Sequence, residues 1–300
     1  MLVTLLVCSC SSDERYSSGE SKINEEQVWD ELLTKEESLC VEFSNATRET
    51  FPGLSIWQWC KVGFADAKGY IVGSGKPSER IVSAVVASIS KYIEIVLDKL
   101  DKANKKDNAV KQAAPLSGVF SIDDSEISLN FVREADFRIF RNNFRSGEQH
   151  NSTIIALFEK YPLASDWIDV DTRTIFNRVV SEMRKKGFVK QNEVINYGYV
   201  LNAVGKTNYK YSELRRTLVP VHVSQSFVED RCDRILCNFL IALSNINDNT
   251  QKLAFASEYI NNLRASGLSP SSNDELMKSL GIAMASSVLW NVDYFKDSNQ

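Results

Sequence analysis

The chain has 300 residues, 43% of them hydrophobic and 25% charged, with a mean hydropathy of −0.23, so it holds enough apolar material for one or two folded domains. Its 35 Lys and Arg against 39 Asp and Glu leave a formal charge of −4, with both signs interleaved along most of the sequence. That balance excludes a disordered polyelectrolyte and gives no footprint for nucleic acid.

The chain opens on a short apolar run, Leu2-Val3-Thr4-Leu5-Leu6-Val7, followed by Cys8-Ser9-Cys10-Ser11-Ser12-Asp13-Glu14. A bilayer span needs about 20 apolar residues, so this run does not cross a membrane. An apolar run ending in a small residue before a cysteine resembles the lipobox of bacterial lipoproteins. Cys10 fits the lipidated position better than Cys8, because Ser9 is small whereas Val7 is bulky. The acidic residues just after Cys10 resemble the start of Bacteroidota lipoproteins. That likeness implies a lipid-anchored protein at the bacterial outer membrane or cell surface, with the periplasmic face as the alternative. The competing reading is the frayed apolar start of a cytosolic chain.

Residues 11–21 have the composition of a solvated tether, which makes 1–21 a signal, lipobox and tether. From Ser21 onward Ile23, Val28, Trp29, Leu32, Leu33 and Leu39 follow a helical spacing. Ile56 to Leu100 is unusual, because Gly63, Gly69, Gly73 and Gly75 interrupt an apolar run. Pro77 and Ser78 suit the start of a helix with Ile81, Val85, Ile89, Tyr92 and Val96 along one face. Gly69 and Gly73 have the spacing that lets helices approach closely in lipid, and equally mark a tight contact in a soluble core. The N-terminal helical region is placed at 22–112, a linker at 113–135 and a C-terminal helical domain at 136–300. A minor strand is expected near 126–131, where Ile127, Leu129 and Phe131 alternate with polar residues.

Stripes are cleaner in the second half. Asp171 to Gly187 carries Ile175, Phe176, Val179, Val180 and Met183, with Asp171 or Thr172 as cap. Gln191 to Gly205 carries Val194, Tyr197, Val200, Leu201 and Val204. Ser226 to Asn245 carries Val228, Cys232, Ile235, Leu236, Phe239, Leu240 and Leu243. Thr250 to Ser266 follows with Leu253, Tyr259, Ile260 and Leu263, stopping at Gly267. Ser272 with Glu275 reads as a capping box for a last helix. An all-α fold follows, a multi-helix orthogonal or bundled domain, with Val179, Leu201, Leu236, Leu240, Tyr259 and Leu280 in one core.

Chemistry-bearing patterns are sparse. Only His150 and His222 are present, and His222 lies in an apolar approach to a helix. There is no nucleophile elbow, phosphate loop, dinucleotide fingerprint or paired-histidine helix, so neither cofactor nor metal is expected. The acidic groups Asp166, Asp169, Asp171 and Asp123, Asp124, Glu126 lack EF-hand spacing. Cys232 and Cys237, five residues apart on one helix, point about 140° away from each other and do not suit a bridge. Cys40 with Cys60 is the plausible local pair, with four buried thiols as the equal alternative.

Three patches resemble a set of Bacteroidota proteins without an assigned activity. They are a Gly-x-x-His-Asn turn at Gly147 to Asn151, the segment Ala65-Asp66-Ala67-x-Gly69, and the stretch Ala283 to Trp290. The resemblance points at His150 and Asn151 without giving them a role; the pair reads either as a turn with Asn151 capping the helix that follows, or as a partner-binding site with a solvent-facing imidazole. The expected function is a non-catalytic, lipid-anchored helical protein that touches the membrane through its anchor and binds an unidentified protein or small ligand. The alternatives are a membrane-active, toxin-like protein inserting 62–97, and a hydrolase using His150. Burial of Ile81, Val85, Ile89 and Val96 discriminates the first from the second.

Overall fold

The computed structural model describes residues 19–43, 56–73, 75–103, 141–161, 166–167, 170–212, 217–220, 226–246 and 249–289. Among these the chain is helical apart from turns and one small hairpin: α1 Gly19–Phe43, α2 Ile56–Val72, α3 Pro77–Ala103, α4 Arg141–Lys160, α5 Thr172–Lys185, α6 Tyr197–Gly205, α7 Phe227–Ser244, α8 Asn249–Ala265 and α9 Pro270–Leu289. The hairpin pairs β1 Tyr209–Ser212 with β2 Thr217–Pro220 in antiparallel register, Tyr209 opposite Pro220. It was not expected, while the expected strand at 126–131, the lipobox with Cys10, Val96's side chain, His222 and Trp290 lie outside what is described.

Local chemistry explains the ends of several helices. Asp171 is extended and its Oδ1 accepts the Thr174 amide at 2.7 Å, capping α5. At the other end Gly187 has φ +74°, its N–H donates to Arg184 O, and Phe188 N–H donates to Met183 O, the paired bonds that satisfy orphan carbonyls. Ser226 caps α7 by accepting from the Glu229 amide. For α9 the expected capping box is corrected: the helix starts at Pro270 and Ser269 Oγ accepts from Ser272 N–H, while Glu275 pairs with Arg80 of α3 at 2.7 Å. Proline suits the first helical position because its missing N–H would be an orphan there.

Helix α2 occupies the centre, packed by α3, α6, α7 and α9. From Trp59 to Tyr70 every side chain except Lys61 is buried. Close approach is built in by glycine: a Cβ at Gly69 would stand 3.0 Å from the Ala84 Cα of α3. The glycine segment is therefore a tight helix contact inside a core. Helix α1 lies on α7 and α8, with Trp29, Leu32 and Leu33 buried, and Gly19 to Ser21, expected in the tether, already belong to it. Phe239, Phe255 and Tyr259 interlock α7 with α8, and the Tyr259 hydroxyl donates to Ile235 O. Helices from both sides of the 113–135 stretch thus share one hydrophobic core.

Val179, Leu236, Leu240, Tyr259 and Leu280 lie in that core as expected, but Leu201 does not. Asn196 caps α6 by accepting from the Gly198 and Tyr199 amides, so the helix starts at Tyr197 and not near Gln191. Val200 and Ala203 face inward, which turns Leu201 outward and leaves Val194 before the helix, 75% exposed.

Candidate functional site

His150 is not in a turn. Helix α4 presents Ser146, Gly147, His150, Thr153, Ile154, Leu157 and Phe158 on one buried face, the i, i+3, i+4, i+7 pattern of a core-facing helix. His150 stands in the middle of that face with none of its surface exposed. The expectation of a solvent-facing imidazole beside a capping Asn151 is corrected, since Arg141 begins this helix nine residues earlier. Gly147 brings α4 against α9 so closely that a Cβ there would lie 2.8 Å from Gly281 O and 2.7 Å from the Ala285 Cβ.

Around His150 the three patches singled out in the sequence converge. Its Nε2 lies 3.7 Å from Asp66 Oδ2 on α2, and its Nδ1 lies 2.9 Å from Asn151 Oδ1. The Asn151 amide donates from Nδ2 to Ala285 O of α9 at 2.9 Å. That bond turns Oδ1, an acceptor only, toward the ring, so Nδ1 carries the hydrogen. Asp66 is wholly buried and neither of its oxygens has a hydrogen-bond partner among the described residues; the same holds for Ser286 Oγ, 3.8 Å from where a Gly63 Cβ would stand. The arrangement ties three helices together.

Asp66 lies in one of the three patches, although the sequence does not single it out as a site residue. The signal was there: a lone carboxylate inside Val62-Gly63-Phe64-Ala65-Asp66-Ala67. Two residues on, Lys68 is 1% exposed and pairs with Asp233, and with Glu229 at 3.3 Å, while Lys206 Nζ approaches Glu229 at 3.9 Å. Glu36 of α1 is also fully buried, and desolvation pushes its carboxyl up to about 9, with Glu258 adding to the rise and Asn262 and Lys35 opposing it. Nothing here supplies a reactive thiol: Cys40 and Cys60 form no disulfide, and burial pushes both up to about 12. Cys232 and Cys237 are likewise unbridged. Among the described residues no three His, Cys, Asp or Glu side chains gather to hold a metal ion.

The surface offers a different kind of site. Between α5 and the approach to α6 lies a depression of about 540 Å³, with Phe176, Val180 and Ile195 at its floor and Arg184, Lys185 and Val194 around it. Beside it Tyr199 and Leu201 are each 45% exposed. Comparison with protein families, with characterised proteins and with solved structures gives no match for this chain.

Proposed function

We propose that the chain is a non-catalytic bacterial protein, exported and held at the outer membrane or cell surface by a lipid on Cys10, whose helical domain binds a protein or small-ligand partner. One observation carries the choice over a membrane-inserting, toxin-like protein. Ile81, Val85 and Ile89, the face an inserting segment would present to lipid, are covered to 7% exposure or less by neighbouring helices. In addition, no helix among the described residues is long and apolar enough to cross a membrane. Against a hydrolase using His150 stands the sealing of that side chain, since a general base has to reach the proton it abstracts.

The likeness of the first residues to a lipobox supports the anchor. Cell fractionation tests the location. Wild-type chain should enter the detergent phase and Cys10→Ala should release it; wild-type protein staying in the soluble cytosolic fraction would defeat the proposal. Capture from intact cells through a tag at Gln300 then tests binding, and recovery of no specific partner would defeat that half of the proposal.

A further inference from the structure

Between Asp171 and Gly205 the chain carries Arg173, Arg178, Arg184, Lys185, Lys186 and Lys190 against Asp171, Glu182 and Glu193, six charges minus three, a formal +3 inside a protein of −4. Asp171 is engaged as the cap of α5, its Oδ1 accepting the Thr174 amide, and the other two acids do not offset that surface freely. Glu182 is 4% exposed with Lys185 Nζ 3.6 Å away, and Glu193 accepts the Ser78 hydroxyl. Arg184 is turned inward to Glu193 O, and Arg178 lies over the Tyr161 ring at 4.0 Å. The positive groups left in solvent are Arg173, which lies over Tyr197 at 4.1 Å, Lys185, Lys186 and Lys190. Next to them residues 194–205 carry no charge at all, and Val194, Tyr199 and Leu201 stand exposed.

We infer that this surface is a second membrane contact, where α5 and α6 lie against an anionic phospholipid bilayer. Such an interface takes aliphatic tips such as Val194 and Leu201 just below the headgroups and lysines level with the phosphates, with few carboxylates among them. The backbone of α6 satisfies its own hydrogen bonds, as shallow immersion requires. An acidic polypeptide would meet the lysines but would not explain why the standing-out tips at Val194 and Leu201 are aliphatic. The inference rests on the proposed anchor in one respect. Eight residues, 11–18, separate Cys10 from α1, a reach of at most about 28 Å at about 3.5 Å per residue. The domain would then face the bilayer at high effective concentration, where one lipid signal and one basic patch reinforce each other.

The test uses the full chain carrying Cys10→Ala, so that the surface is read without the anchor, while fractionation of cells reads the anchor without the surface. This protein should sediment with vesicles containing about 30% phosphatidylglycerol in phosphatidylcholine, and not with phosphatidylcholine alone. Raising salt from about 0.1 M to about 1 M should release it, because screening then shortens to about 3 Å. Lys185→Gln with Lys186→Gln and Lys190→Gln should weaken binding about a hundredfold, near fivefold for each lysine. Leu201→Asp should weaken it about tenfold with an unchanged melting temperature. Absence of vesicle binding, equal binding to neutral vesicles, retention by the triple variant, or binding to poly-glutamate in place of vesicles would each overturn the inference.

Discussion

Helix α2 buries Asp66 and Lys68 among side chains that are almost all covered from Trp59 to Tyr70, whereas α6 has no charged residue and leaves Tyr199 and Leu201 in water. The first arrangement is expensive, because an unpaired ion in a protein interior loses its hydration without compensation. It persists only where partners are brought to it: Asp233 and Glu229 from α7 for Lys68, His150 from α4 for Asp66. The second costs little, since single exposed apolar side chains are common on protein surfaces. Grouped beside a basic rim, they mark a surface with something to meet. Charge inside therefore specifies which helices touch, and apolar surface outside is where binding is to be sought.

The largest effect is expected at the inner site. Asp233→Ala leaves Lys68 buried with a weakened counter-charge and should destabilise the protein by about 3–5 kcal/mol in urea unfolding, the usual consequence of breaking a buried pair. If the change is below about 1 kcal/mol, Lys68 is not paying for its burial through α7. Next come Asp66→Asn and His150→Ala. Each should destabilise, and a double-mutant cycle should give a coupling of about 0.5–3 kcal/mol, because the two buried side chains meet at one helix junction. Strict additivity would mean that 3.7 Å is mere proximity.

A third measurement concerns pH. Glu36 ionises in the fold only near 9, against 4.5 ordinarily, so the protonated acid is favoured by folding. Its contribution is fully present below about pH 4.5 and is lost as pH rises through about 9, so stability should fall across that window. Glu36→Gln should flatten the fall and raise the melting temperature at pH 8 relative to wild type; an unchanged slope would place the titration elsewhere. The smallest effect belongs to the outer surface: Leu201→Ser should shift stability by no more than about 0.5 kcal/mol. A larger loss would mean that Leu201 is packed and that the contrast between α2 and α6 is overstated.

Much of the helical framework was legible because its signals are local. Asp171, Gly187, Ser226 and Gly267 act on backbone groups within a few residues of themselves, so their roles follow from neighbouring sequence. Ser272 with Glu275 reads as a capping box, but the helix starts two residues earlier at Pro270, since proline suits the first helical position. The stripe through Leu201 failed for a related reason, since the cap at Asn196 resets the phase of α6. At His150 the polar residues Ser152 and Thr153 obscured a helical face that Gly147, Ile154, Leu157 and Phe158 already outlined. The partners of Asp66 and Lys68 were not legible at all, because they stand 84 and 165 residues further on.

Those separations bear on how the chain can be made. The Ser279 hydroxyl donates to Ala67 O across 212 positions, Arg234 reaches Glu37 across 197, and Cys40 meets Asn238 O across 198. Helix α2 meets α3 as soon as that helix is made, but α1 packs on α7 and α8, and the remaining sides of α2 are closed by α7 and α9 in the last quarter of the sequence. Contacts so remote are slow to form, since the intervening loop must be closed before they reward it. Until α7 is synthesised, Lys68 would be without Asp233 and Glu229. The first helix of such a chain spends most of synthesis without the helices it finally packs on.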